Sequence, residues 1–322
     1  MARSTSSPGI AGSAPEPGRP GNRALEVRQR SVLLNLIISL RPDQWTKNLL
    51  VFAGLLFGHR LLDRVAAERA LAAFAVFCAL SGVVYLINDI ADRESDRQHP
   101  LKSRRPIASG AIGVGLAASV AAILGIGAVA AAMVLGGRFA AVAIAYLALL
   151  TLYSVVFKHM VILDVLTLAI GFVLRAVAGA VAVDVEISRW LLVCTILLAL
   201  FIALAKRRHE LVLLADGAVG HRKILGEYSP YLLDQMISVV AASTLVAYIF
   251  YTISPETEQK FGTHWLWLTI PFPLYGIFRY LYLVHQREGG GSPAELLITD
   301  RPLLLCVALW GITVMLLIYK PF

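Results

Sequence analysis

The sequence predicts an all-α, polytopic membrane protein of nine transmembrane helices, and three observations predict it. The 322 residues are 58% hydrophobic and only 16% charged, with a mean hydropathy of +0.72, whereas charged residues make up about a quarter of an average soluble domain. Apolar runs long enough to cross a bilayer recur from residue 43 to the C-terminus. The runs are continuous and lack strand-like alternation, which selects helices over a barrel as the way to satisfy backbone groups in hydrocarbon.

Residues 1–22 are rich in Pro, Gly, Ser and Ala without an apolar core. They predict a disordered tail and no cleaved signal peptide. Residues 23–42, which include ALEVRQRSVLLNLIISL, predict an amphipathic segment along the interface. Spans follow near residues 43–59, 70–90, 111–135, 139–157, 160–182, 189–205, 231–252, 264–285 and 302–319, so that residues 43–322 form one intramembrane domain. With nine spans, 21 of the 29 Lys and Arg fall on the side of the N-terminus, 7 on the other, and Arg175 lies within a span. The N-terminal side is therefore expected to be cytoplasmic. The same flanking accounts for the net charge of +8 without any nucleic-acid surface. Cys78, Cys194 and Cys306 each sit in an apolar run, where a buried cysteine behaves as a small hydrophobe.

Carboxylates are densest at the end of the second span, Asn88-Asp89-Ile90-Ala91-Asp92-Arg93-Glu94-Ser95-Asp96. If the helix runs to Asp96, then Asn88, Asp92 and Asp96 share one face and Asp89 flanks it. Like charges stacked this way repel unless a cation neutralises them, and oxygen-only ligands suit Mg²⁺ with phosphate oxygens and waters. The next loop sets Lys102, Arg104 and Arg105 beside the acidic face, a juxtaposition that anion binding explains. A second cluster, Lys206-Arg207-Arg208-His209-Glu210, closes the sixth span, with Lys206 and Glu210 on one face.

Within the membrane, Asp164 and Arg175 stand out, because an ionisable group inside a span is costly and normally faces the bundle interior. They lie about 16 Å apart along the helix axis and cannot pair directly. Both share a face with Gly171. Asp164, near the charged end, is expected to join the polar site, and Arg175 to lie deeper, with pairing to a carboxylate on another helix as one reading. Gly171, Gly179 and neighbouring alanines are expected to let helices approach closely. Tyr153, Lys158 and Lys47 complete the rim.

The spacing Asn88-Asp89-x-x-Asp92-x-x-x-Asp96 resembles the first aspartate-rich motif of the UbiA-type polyprenyltransferase superfamily. That resemblance implies nine helices around a central cavity open to the cytoplasmic face and laterally to lipid, with Mg²⁺ as cofactor. Ordinary members carry a second Asp-rich motif after the sixth span; Lys206-Arg207-Arg208-His209-Glu210-Leu211 departs from it. Together with Arg41-Pro42-x-Gln44-Trp45-x-Lys47-Asn48, His99-Pro100-x-Lys102-x-x-Arg105-Pro106, Tyr153-Ser154 with Lys158, and Thr299-Asp300-Arg301-Pro302, the departure resembles the actinobacterial decaprenyl-phosphate phosphoribosyltransferase branch.

In that branch the soluble substrate is phosphoribosyl pyrophosphate and the lipid acceptor is polyprenyl (decaprenyl) phosphate, feeding cell-wall arabinan synthesis. The resemblance implies that Asn88, Asp89, Asp92 and Asp96 hold the metal, with Asp89, Asp92, Asp96 and Lys102 in the reaction. It implies that Lys47, Arg105, Tyr153, Lys158, Asp164, Arg175, Lys206 and Glu210 bind substrate. The competing enzyme is a prenyltransferase using a polyprenyl diphosphate. A transporter is the competing class, against which stands the concentration of charge at one membrane face. A homo-oligomer is compatible with the sequence, which does not specify one.

Overall fold

The computed structural model describes residues 31–99, 102–213, 223–286, 296 and 299–319. The tail at 1–22, residues 23–30 of the interfacial segment, and Pro100 lie outside the described residues. The helices are α1 (Val32–Leu40), α2 (Ala53–Phe57), α3 (Arg64–Ala91), α4 (Arg93–Gln98), α5 (Val114–Leu135), α6 (Gly137–Val155), α7 (Leu163–Ala182), α8 (Arg189–Leu213), α9 (Pro230–Ile253), α10 (Pro255–Phe261), α11 (Pro271–Gln286) and α12 (Arg301–Tyr319). Among the described residues, seven of these, α3, α5, α6, α7, α8, α9 and α12, are long and apolar enough to cross a bilayer, so the chain is a multi-pass membrane protein.

Two expected spans take another form. Residues 43–59 are occupied by an 11-residue 3₁₀ segment, Pro42–Phe52, followed by the short α2. A 3₁₀ segment of this length is uncommon and stretched, rising about 2.0 Å per residue against about 1.5 Å in an α-helix. Close packing against α7 accompanies it. A Cβ on Gly179 would fall 1.8 Å from the Val51 carbonyl oxygen, and one on Gly54 would fall 2.6 Å from the Ala180 Cα. Only glycine allows that approach, as expected for Gly179. Residues 264–285 are divided by Pro271 into a 3₁₀ turn, Trp265–Thr269, and the 16-residue α11, since proline has no N–H to continue a helical ladder.

The bundle is packed with small residues inside and branched residues outside. Ala70, Ala73, Ala132 and Ala143 are fully covered, whereas Ile123 and Ile126 are 73% exposed, as a lipid-facing surface requires. One core gathers Phe77, Phe139 and Tyr146 between α3, α6 and α7; a second gathers Phe201, Leu233 and Tyr280 between α8, α9 and α11. Helix α1 turns its polar residues Asn35 and Ser39 against the protein and exposes Val32, Leu33, Leu34, Ile37 and Ile38. Asp63 caps α3, Ser229 caps α9 and Asp300 caps α12, each accepting a backbone N–H three residues on.

Candidate active site

Helix α3 has two unlike faces. Val83, Ile87, Ile90 and Ala91 line an apolar groove of about 800 Å³ with α5 and α6. Ser81, Tyr85, Asp89 and Asp92 fall on the opposite side of the same helix. The carboxylates therefore face inward, towards the 3₁₀ segment and α7.

The helix does not run straight through to Asp96. It ends at Ala91, Asp92 forms a joint at φ −92° and ψ 3°, and α4 begins at Arg93. This joint turns Asp96 towards Asp89, which the sequence pattern had placed at the flank. Asp89 and Asp96 are 2% and 3% exposed, and Arg105 Nη1 joins them, at 3.1 Å to Asp89 Oδ1 and 2.6 Å to Asp96 Oδ2. Arg41 Nη2 donates to the same Asp89 oxygen at 2.5 Å, with its guanidinium 4.7 Å from the Tyr85 ring centroid. Lys158, itself buried, donates to Asp92 Oδ1. Three inward carboxylates are thus neutralised by Arg41, Arg105 and Lys158. Asn88 is half-buried beside them. Among the described residues, no group of three or more His, Cys, Asp or Glu stands ready-made for a metal.

The second cluster joins α7 to α8. Asp164, fully buried, receives Arg207 Nη2 at 2.6 Å, and Arg207 Nη1 reaches Glu210 Oε2 at 2.6 Å. Tyr228 donates to Asp164 Oδ1 at 2.8 Å and accepts the Ile162 backbone N–H at 2.8 Å. Burial pushes the Tyr228 hydroxyl up to about 12, so it stays protonated and serves as that donor. The buried cation is Arg207, and its neighbour Lys206 is exposed. Glu210 is therefore held by the residue three positions before it. Ile162 adopts φ 68° and ψ −44°, a region that a β-branched residue enters only under strain. Replacing Ile162 by Gly is expected to raise the thermal midpoint in detergent, with a gain of about 1 kcal/mol. An unchanged or lowered midpoint would show the turn to be unstrained.

Deeper in the bundle, Arg175 is 5% exposed. Its partners are neutral, which corrects the reading that it pairs with a carboxylate. Nε donates to Asn48 Oδ1 at 2.8 Å and Nη2 to the Tyr146 hydroxyl at 2.7 Å, between the rings of Tyr146 and Phe172. Gly171, on the same face, packs tightly against Leu150 of α6, whose Cδ2 would lie 3.2 Å from a Cβ placed there. Lys47, one residue before Asn48 and half-buried, lies within electrostatic reach of Lys206, Arg175 and Arg41 and of the Asp43 carboxylate. Among the described residues it makes no hydrogen bond or ion pair, and the Trp45 indole nitrogen nearby is buried without a partner. Lys102 and Tyr153 are both half-buried, Lys102 in the turn that leads to Arg105.

Sequence reasoning passed over Arg41, Asn48, Tyr146, Arg207 and Tyr228 as site residues. Arg207 had a readable signal, since it lies at i−3 from Glu210 on one helix face. The Thr299–Pro302 segment proves to be a fastening: Arg279 Nη2 meets Asp300 Oδ2 at 2.8 Å, tying α11 to the start of α12. Those hydrogen bonds from Arg279 hold the Asp300 carboxyl below the usual carboxylate range.

Comparison with known proteins follows the same lines. Residues 49–298 match the model of the UbiA prenyltransferase family. A decaprenyl-phosphate phosphoribosyltransferase of Corynebacterium glutamicum is 33% identical over 300 residues, covering 88% of this chain and 86% of that protein. One of the same name from Mycolicibacterium smegmatis is 33% identical over 303 residues, covering 90% and 94%. Among solved structures, a UbiA homolog from Archaeoglobus fulgidus bound to GPP and Mg²⁺ superposes with a TM-score of 0.70 at 19% identity, covering 87% of this chain and 99% of that one.

Proposed function

Because the chain belongs to the UbiA prenyltransferase family, we propose that it transfers 5-phosphoribose from phosphoribosyl pyrophosphate to a polyprenyl phosphate such as decaprenyl phosphate. Pyrophosphate is released, and the product serves cell-wall arabinan synthesis. The observation that carries this reading is cation without a direct counter-ion: buried Arg175, whose partners are all neutral, and half-buried Lys47, which makes no ion pair among the described residues. A buried charge without a counter-ion is expensive. Its compensation is a ligand with several phosphates, and the names of the relatives at 33% identity point to the same substrates.

The second cluster supports the same choice. Where ordinary members present a second row of carboxylates, this chain buries Arg207, which holds both Asp164 and Glu210. Among the described residues this pairing takes up the carboxylates that would form a second acidic wall for a prenyl diphosphate and its metal.

The aspartates fit Mg²⁺ by their chemistry. All donors are oxygens, and the second carboxylate oxygens of Asp89, Asp92 and Asp96 have no partner among the described residues. Asp89, Asp92 and Asp96, with Asn88, would hold the ion, whose charge makes pyrophosphate a better leaving group. Arg41, Arg105 and Lys158, which pair with these carboxylates, would offer donors to phosphate oxygens beside the ion. Lys47, Lys102, Tyr153 and Lys206 supply further donors, while Asp164 and Glu210 orient cations or ribose hydroxyls.

The bond from ribose C1 to the pyrophosphate oxygen breaks as a lipid phosphate oxygen bonds to C1 from the opposite face. A phosphate monoester is already anionic at neutral pH, so the residues act by positioning and charge, without a strong general base. The Lys- and Arg-rich face of the protein is the cytoplasmic one in this reading.

Purified protein given ribose-labelled phosphoribosyl pyrophosphate, decaprenyl phosphate and Mg²⁺ is expected to move label into the organic extract. Consumption of prenyl diphosphate instead, with no label in lipid, would replace this reading by aromatic prenyl transfer.

A further inference from the structure

We infer that Arg175 is a positioning residue, which sets the place of Lys47 through Asn48 and does not itself touch substrate. This rests on the reading of Lys47 as a ligand of the donor phosphates.

The argument begins with what Arg175 holds. Its side chain closes a ring of hydrogen bonds: Arg175 Nε to Asn48 Oδ1 at 2.8 Å, Ser81 Oγ to the same oxygen at 3.2 Å, Ser81 Oγ and the Tyr146 hydroxyl at 3.1 Å, and Arg175 Nη2 back to that hydroxyl at 2.7 Å. Asn48 also donates to Cys78 Sγ at 3.4 Å. Each member of the ring is nearly or fully buried, with Asn48 and Tyr146 at 0%.

The ring joins the 3₁₀ segment to α3, α6 and α7. A 3₁₀ helix has poor hydrogen-bond geometry and is rarely this long on its own strength. Tertiary contacts must hold Pro42–Phe52 in place, and those nearest Lys47 include the Asn48 ring and the Val51–Gly179 approach. Lys47 precedes Asn48, a fully buried member of the ring, by one residue, so the register of Asn48 fixes where the unpaired ammonium stands. The Arg175 side chain itself is sandwiched between Tyr146 and Phe172, at 4.9 and 5.0 Å from the ring centroids. Its guanidinium fork fits two acceptors at once, which a lysine cannot reproduce.

A double-mutant cycle tests the link. Lys47→Met is expected to raise the KM for phosphoribosyl pyrophosphate about tenfold with kcat little changed. Arg175→Gln is expected to do the same, and the double variant to be no worse than Lys47→Met alone. Arg175→Lys keeps the charge and loses the fork, so it is expected to match Arg175→Gln; recovery of wild-type KM by Arg175→Lys would show a direct charge contact and overturn the inference. So would a double variant that suffers both factors in full. If Arg175 variants do not fold, Tyr146→Phe and Ser81→Ala open the ring while keeping the charge. They are expected to raise the same KM about threefold, and no change in either overturns the proposal. A normal KM in Lys47→Met would instead refute the donor role of Lys47, a distinct result that removes the premise as well.

Discussion

Asp89→Asn is expected to lower transfer from phosphoribosyl pyrophosphate about a thousandfold while the protein still folds. The substitution keeps shape and one acceptor oxygen, so Arg41 and Arg105 retain a hydrogen-bond partner at the same place. Both guanidiniums are about a quarter exposed, at 23% and 26%, and can turn to water when the carboxylate charge is lost. The stability cost is therefore modest, on the order of 1 kcal/mol, as for a partly screened pair. The chemistry is another matter. Asp89 is the most deeply buried of the three aspartates and shares Arg105 with Asp96, so removing its charge disturbs two ligands and a phosphate donor together. Loss of one preorganised electrostatic partner costs about 10²–10³ in turnover where the site excludes water. The labelled-lipid assay and a thermal melt in detergent decide the matter together. Transfer within severalfold of wild type would remove the metal role assigned to Asp89, whatever the melt shows.

Much of this arrangement was legible in the sequence because membranes constrain it so strongly. Seven of the nine expected spans coincide with long helices, since continuous apolar runs have few other options in hydrocarbon. The inward placement of Asp164, Gly171 and Arg175 on one face also followed from the cost of charge in lipid. The first span did not read correctly because its shape is imposed from outside: nothing local to Pro42–Phe52 announces a 3₁₀ segment, and its packing partner is Gly179, over a hundred residues away.

Side-chain partners were hardest to foresee. Arg41, Asn48 and Tyr146 join the site across long sequence separations, Arg41 to Asp89 and Asn48 to Arg175, and periodicity carries no information about such pairs. The sequence motif did contain Arg41 and Asn48, without indicating that one would neutralise a metal ligand and the other would anchor a buried guanidinium. At Asp92, a single backbone joint was enough to change which aspartates stand together.

Arg207→Met is expected to cost about 3–5 kcal/mol of stability and to abolish transfer. Asp164 is 0% exposed and Arg207 4%, so the variant strands a carboxylate where water cannot reach it, the circumstance in which breaking an ion pair is most damaging. Tyr228 still donates to Asp164, but one neutral donor does not replace a guanidinium that bridges Asp164 and Glu210. A compensating change separates fold from function. Pairing Asp164→Leu with Arg207→Met removes both charges and leaves an apolar contact of similar bulk, which is often neutral or better for stability. The double variant is therefore expected to recover the wild-type melt to within about 1 kcal/mol and still transfer no phosphoribose, because Glu210 has lost the cation that orients it. Recovery of activity along with stability would mean that α7 and α8 need only to be fastened together here, and that the substrate lies elsewhere.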